Sequence, residues 1–410
     1  MQVDVEASIW TTIGGVLVFL MIPAIGMLEA GLIRRKNLIN GLMKGLLAVM
    51  IFLPIWFAVF PLYFSRIIVN GYLPTGQDVG VPEFLYAFFL GVFGAVTLAL
   101  IYAGAPERLK FGGWVIFSIF FSAIQWPLVA SWIWGDGFLY NLGSLTGLAP
   151  GLGLRDFAGG TVVHAYAGLA GAMAVLALGP TLRRLADRYE SEVAYKEAVE
   201  AKNVDLQLAI IGTVLLFFGW FGFNGGSTLS MDVQTEYAVT NTAIAGALAG
   251  FVSMLAAYFE KRTWDAVATI GGTLGGLVAI TPLAGFIDIP FSYLVGVAAG
   301  LVTYYGTKLV ERWYTIDDPV GGLPAHGFNG IMGSMLVPIL ADPNVCGMAG
   351  LIYGGSLGWV LVQWMGMAIA LGFVVATTYA MFKLLVALGF RASREEEIVG
   401  LDAVDHGVLR

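Results

Sequence analysis

Hydrophobic residues in this chain do not alternate, nor do they recur on a single helical face; they come in long runs. Apolar stretches fall at roughly 8–32, 39–65, 84–105, 111–134, 157–179, 206–223, 237–258, 265–284, 289–309, 324–342 and 348–388. Each is close to or above the roughly 20 residues that carry a helix across a bilayer. The pattern predicts eleven membrane-spanning helices, the last long enough to run tilted and extend beyond the membrane. Two segments break the apolar rhythm. Residues 180–205 are glycine-free and alternate in charge through Arg183, Arg184, Asp187, Arg188, Glu190, Glu192, Lys196, Glu197, Glu200 and Lys202, which predicts a soluble connecting helix. The end of the chain, 391–410, is polar and acidic.

The basic residues orient this arrangement. With eleven alternating spans, all of the 21 lysines and arginines except Arg66 and Arg155 fall on one side. Basic loops stay cytoplasmic, so the N-terminus is expected outside and the C-terminus inside a cell membrane. Five spans precede the 180–205 connector and five follow it. An odd number per half means that the halves lie inverted with respect to each other. The expected division is therefore 1–179 as the first five-helix repeat, 180–205 as a cytoplasmic connector and 206–342 as the inverted second repeat. Residues 343–390 form the eleventh span and 391–410 a cytoplasmic regulatory tail. The fold class is an all-α integral membrane protein.

A short motif marks the same duplication. Asp156-Phe-Ala-Gly-Gly-Thr-Val-Val-His164, with Gly168 beyond, and Asp318-Pro-Val-Gly-Gly-Leu-Pro-Ala-His326, with Gly330 beyond, share the frame D-x-x-G-G-x-x-x-H-x-x-x-G. Only three histidines occur in the chain, and two hold this equivalent position. Eight residues of helix rise by about 12 Å, so each histidine is expected near mid-bilayer, entering from opposite sides. An ionisable group at that depth points to function. Each could also simply bridge helices, a reading that the repeat weakens.

Composition narrows the chemistry. The chain is 58% hydrophobic and 12% charged, with 55 glycines suited to close helix packing in lipid. A single cysteine, Cys346, excludes an intrachain disulfide and any cysteine-cluster metal site. A net charge of −7 argues against nucleic acid as a partner. The first 30 residues lack the basic n-region and cleavage site of a signal peptide. Two histidines without a third His or a Cys at depth are too few for zinc, so no metal and no cofactor are expected.

Aromatic clusters lie at the outer ends of the expected spans: Trp220, Phe221 and Phe223 with Ser227 on span six, Trp132 and Trp134 on span four, and Phe89 and Phe93 on span three. Aromatic faces hold cations, more strongly when desolvated. An interfacial aromatic belt would explain any one of them taken singly. Asp156, at the start of span five, fits either a helix cap or a group that favours cations. An enzyme built on His164, Asp156 and Ser227 would draw on separate spans, and no nucleophile motif surrounds Ser227. No enzymatic activity is expected.

Five motifs in order resemble the ammonium transporter family (Amt/Mep, related to Rh proteins). These are Gly104-Ala-Pro-Glu-Arg108, Asp156 to His164, Gly219-Trp-Phe-Gly-Phe-Asn-Gly-Gly-Ser227, Asp317-Asp-Pro319 to His326-Gly, and Glu395-Glu-Glu-Ile-Val-Gly400-Leu-Asp402 to His406-Gly407. The likeness extends back to Gly31-Leu-Ile-Arg-Arg-Lys-Asn37 on span one. It implies an eleven-helix protomer in a homotrimer, with one pore per protomer. By motif position it implies ammonium recruitment by Phe93, Trp134, Phe223 and Ser227, with Phe93 and Phe223 also forming a gate. It implies a pore lined by His164 and His326, with Asp156 as a structural or electrostatic group. Gly400 and Asp402 belong to the implied regulatory tail, which in the family couples neighbouring protomers. The implied function is transport of ammonium, deprotonated at the outer site and conducted as ammonia, with the proton as a candidate co-traveller. The alternative is an ammonium sensor signalling through the tail; a soluble signalling domain would favour it, and none is seen. Membrane lipid and a PII-type signal protein are the other implied partners. The chain departs from the family pattern at Leu90, Leu323 and Gly321, and has longer 141–155 and 180–205 segments.

Overall fold

In the computed structural model of the protein, residues 3–64, 80–182, 184, 204–313 and 315–408 are described. Among them secondary structure is helical, apart from one isolated bridge between Leu109 and Arg391. The helices are α1 (Val5–Leu32), α2 (Arg35–Tyr63), α3 (Glu83–Gly104), α4 (Phe111–Trp134), α5 (Gly160–Leu178), α6 (Leu206–Thr228), α7 (Val233–Lys261), α8 (Ala266–Ile280), α9 (Ile289–Arg312), α10 (323–340) and α11 (Leu357–Ala387). Two short tail helices follow, α12 (Arg394–Val399) and α13 (Leu401–His406). Among the described residues, nine of these are long and apolar enough to cross a membrane. The shorter α8 and the interrupted α10 occupy the eighth and tenth predicted runs.

Helix starts follow from the sequence. Asp4, Asp205, Asp232, Asp265, Asp288 and Ser356 precede α1, α6, α7, α8, α9 and α11, and each accepts a backbone N–H from the first turn. The residues before α4 and before the α-helical part of α2 supply no such cap. Four helices each contain one π-helical turn: Phe121–Gln125 in α4, Gly160–Ala165 in α5, Phe221–Gly225 in α6 and Leu323–Phe328 in α10. Such turns cluster at functional sites because they redirect side chains without ending the helix. Three of these four carry His164, Phe223 or His326.

Close backbone approach positions the helices. A Cβ on Gly31 of α1 would fall 2.5 Å from the Ala209 nitrogen of α6, and one on Gly212 would fall 2.7 Å from the Leu28 nitrogen. Helices α5 and α10 run in opposite directions and meet reciprocally. A Cβ on Gly168 would fall 2.1 Å from the Gly327 nitrogen, and one on Gly330 would fall 2.5 Å from the Ala165 nitrogen. In each case the glycine four residues after one histidine abuts the residue just after the other. Small residues at these positions are what bring the two histidines together.

The structure corrects two boundaries. The stretch 343–390 is not one helix: Pro343–Cys346 and Leu351–Tyr353 form separate turns, and α11 begins at Leu357. Gly347 and Gly354 adopt left-handed φ values of +73° and +81°, where a continuing helix is impossible. The helix of α5 likewise starts at Gly160 rather than 157. The predicted connecting helix at 180–205 lies largely outside the described residues, as does Arg66.

Candidate functional site

The two D-x-x-G-G segments fold into the same cradle. Asp156 Oδ1 accepts the amides of Gly159 and Gly160 at 3.0 and 2.7 Å, and Oδ2 those of Thr161 and Val162 at 2.8 and 2.9 Å. Asp318 Oδ1 accepts Gly321 and Gly322 at 3.0 Å each, and Oδ2 accepts Leu323 at 2.8 Å. The glycine three residues after each aspartate has left-handed φ, +113° at Gly159 and +78° at Gly321. This turn lets the chain curl back so that successive amides converge on one carboxylate, the anion-binding arrangement of a helix N-terminus. Asp156 is therefore a buried cap. Its backbone oxygen also accepts Trp134 Nε1 at 2.9 Å, so it positions that indole as well.

From these cradles the two histidines reach each other. His164 Nδ1 and His326 Nδ1 are 3.3 Å apart, with rings nearly parallel at 20°. One of the two nitrogens must therefore carry the shared proton and the other accept it. Both rings are buried. His164 stacks on Trp220 at 5.1 Å and 16°, and its Nε2 is buried without a protein partner among the described residues. The Phe223 ring lies 5.5 Å from His164 and 4.2 Å from Phe93, and Phe93 meets Trp134 edge-on at 5.9 Å. Ser227 Oγ donates to the Phe223 carbonyl at 2.8 Å, one turn back on the same helix. Trp134, Phe93, Phe223, His164 and His326 thus form a contiguous column. Beyond His326 the column opens into a cavity of about 360 Å³ lined also by Glu29, Ala103, Thr303, Lys308 and Asp318.

One aromatic falls elsewhere than expected. Trp220 is not at the outer end of span six but fully buried against His164, with Nε1 donating to Thr281 Oγ1 at 2.9 Å. A tryptophan three residues before Phe223 shares its helical face, and that spacing was the available signal. Trp132 packs on Phe138 and Phe373, away from the column. Asp318 and Glu29 are site residues that motif reading left without a role; the repeat itself signalled Asp318.

At the opposite end of the bundle from Trp134, the tail supplies the caps that two helices lack. Asp402 accepts the amides of Ile39 and Asn40 at the start of α2, at 3.1 and 2.7 Å. Asp405 accepts the Phe111 amide at the start of α4 at 2.9 Å. Gly400 has φ +100°, and a Cβ there would lie 2.6 Å from the Lys36 carbonyl oxygen. Of the loop cations Arg34, Arg35, Arg108 and Lys110, Lys110 meets the acidic run of the tail, at Glu396, at 2.8 Å. Arg34 pairs with Glu107 at 2.6 Å, Arg35 with Asp205 at 3.3 Å and Arg108 with Asp317 at 3.6 Å. Glu397 pairs with Arg391 at 2.5 Å, and Glu395 accepts from Ser393. Burial would raise the Asp317 carboxyl, but the Arg108 charge and two hydrogen bonds from Thr181 outweigh it and hold the group below its ordinary value.

A helical, multi-pass membrane protein with a buried aromatic and imidazole column has the build of a transporter of small polar solutes. Residues 9–409 match the family described as Ammonium Transporter Family. Amt2 of Archaeoglobus fulgidus, named as an ammonium transporter, is 34% identical over 98% of this chain and 87% of its own length. The ammonium transporter of Aquifex aeolicus is 32% identical over 99% and 93%. Among solved structures, one described as a sensor Amt protein superposes with TM-score 0.80 at 25% identity, covering 98% of both chains. Saccharomyces cerevisiae Mep2 does so with TM-score 0.80 at 28% identity, covering 95% of this chain and 89% of that one. The chain belongs to the ammonium transporter family, and its function is ammonium transport.

Proposed function

We propose that ammonium is received among Trp134, Phe93, Phe223 and Ser227, loses its proton there, and passes as ammonia beneath the Phe93 and Phe223 rings and along His164 and His326. The observation that carries this reading is the unbroken contact from Trp134 through the two phenylalanines to the histidine pair. A small cation loses several kcal/mol of hydration on entering an apolar channel without full compensation. Neutral ammonia avoids most of that cost, and His164 Nε2, buried without a partner among the described residues, offers it a hydrogen bond. Aromatic faces favour the cation at the entrance, and hydrogen bonding to Ser227 favours ammonium over alkali ions that cannot donate one.

In this reading the Trp134 end faces outside and the tail end lies in the cytoplasm, in agreement with the distribution of basic residues. The protein acts as a homotrimer in the cell membrane. Its tail tunes transport by holding the α2 and α4 starts, and a PII-type protein docks on that face. The departures at Leu90, Leu323 and Gly321 shape the vestibules without entering the column.

Trp134→Leu tests the entrance. Losing the indole face is expected to weaken ammonium affinity by about 0.5–2 kcal/mol and to reduce discrimination against potassium and sodium. Competition of these ions in proteoliposome currents reads it; unchanged selectivity would return Trp134 to the interfacial belt.

Gly400→Asp tests the tail. A side chain at this left-handed position drives into Lys36 and withdraws Asp402 from α2, so transport is expected to fall both here and on deletion of 391–410. The oligomer should survive in both, because no spanning helix is lost. Size-exclusion profiles with uptake rates separate the two effects, and parental uptake by both variants would make the tail a solvated end.

A further inference from the structure

Resting on the proposed reading of the column, we propose that Glu29 is the proton-exchanging carboxyl of the passage, on the far side of the histidine pair from Trp134. Glu29 lies near the end of α1, is 2% exposed, and lines the same cavity as His326. Its carboxyl meets the backbone of Ala103, and among the described residues no basic side chain pairs with it. Of the other acids of this cavity, Glu311 is exposed at its rim and the remaining four are engaged. Glu107 is held by Arg34, Asp317 by Arg108 and Thr181, Asp318 by three amides, and Asp265 by Lys261. Carboxylates are seldom buried without a cation. This one lines the cavity into which His326 opens.

The segment carrying His326 is fixed against the same spot. A Cβ on Gly322 would fall 2.9 Å from Ala103 Cβ, so the Asp318 cradle abuts the residue that Glu29 contacts. His326 uses Nδ1 toward His164. Its remaining nitrogen, Nε2, is the one left for the cavity.

The proton balance is closed. The proton that ammonium gives up at the outer site is taken by the histidine pair, and ammonia continues along the column. The resulting imidazolium at His326 passes the proton to the Glu29 carboxylate, restoring neutral imidazole and leaving a carboxylic acid. That acid protonates the arriving ammonia, so ammonium is released into the cavity and the carboxylate is regenerated. No outside reactant is consumed, and one charge crosses for each ammonia. Positioned proton transfer of this kind needs a group whose two forms are both accessible, which a carboxyl without a cationic partner at the wall of a cavity provides.

Glu29→Gln tests the proposal in proteoliposomes given an ammonium jump, with current and luminal pH recorded together. The parent should pass current with little luminal alkalinisation, because ammonia and proton arrive together. Glu29→Gln should lose current by about 100-fold, the lower range for a positioned proton-transfer group, while the lumen turns alkaline faster than in protein-free vesicles. Glu29→Asp should restore current. A parental current in Glu29→Gln would overturn the proposal. So would loss of both signals in Glu29→Gln and Glu29→Asp alike, which would make Glu29 purely structural. Alkalinisation without current in the parent would also overturn it while leaving the ammonia passage standing. Parental behaviour of His164→Ala in the same assay would instead sink the column reading itself.

Discussion

His164→Ala is expected to abolish ammonium conduction while leaving a folded protein in the membrane. The ring is the centre of the column: it stacks on Trp220, touches Phe223 and shares a hydrogen bond with His326. Alanine removes two of the four imidazole nitrogens of the column and leaves His326 without its partner, so ammonia loses a polar contact and a proton loses an acceptor. A loss of about 100-fold or more is expected from the missing proton transfer alone. The void left by the ring should cost stability by about 2–4 kcal/mol, as for large-to-small changes in cores. Helix crossings at Gly168 and Gly330 do not depend on it. An acidic replacement would keep a polar group and is expected to conduct with poorer selectivity, because a fixed negative charge welcomes any small cation. Transport rate, set against thermal stability in detergent, separates the two effects. A variant that transports like the parent would end the role proposed for the histidine pair.

The second large effect is structural. Asp156→Ala is expected to unfold or misassemble the protein, because four buried amides lose their only acceptor at once. An unsatisfied buried donor costs about 1–3 kcal/mol, so four of them approach the whole stability of an ordinary domain. Asp156→Asn is expected to be milder and still damaging, since one amide oxygen replaces two carboxylate oxygens and the NH₂ faces donors. Asp318→Ala removes the acceptor of three amides and should follow the same order. Yield of the assembled protein and its melting temperature rank these variants. Full stability in Asp156→Ala would mean that the carboxylate is spent on something other than holding the loop.

Much of this was legible in the residues, and the reasons are specific. Helix positions could be read because lipid demands long apolar runs, and the aspartate caps mark their starts. The D-x-x-G-G-x-x-x-H frame could be read because each of its positions is used: the acid collects amides and the first glycine takes left-handed φ. The histidine presents its ring one π turn later. What could not be read depends on how distant segments meet. That His164 rests on Trp220 follows from the α5 and α6 approach, which no local spacing encodes. The capping of α2 and α4 by Asp402 and Asp405 joins residues more than 290 apart in sequence. The break at 343–356 was hidden because its glycines sit among apolar residues, and hydropathy does not register φ. Glu29 carries no local signal, because a lone acid near a helix end reads as a surface residue.

The most direct test of the central claim is the current evoked in proteoliposomes by a jump in ammonium, compared with an equal jump in potassium, for the parent and for His164→Ala. The account predicts a saturable response of the parent to ammonium, none to potassium, and none to either ion in the variant. A parent that answers potassium and ammonium alike, or a variant that keeps the parental ammonium response, would contradict it.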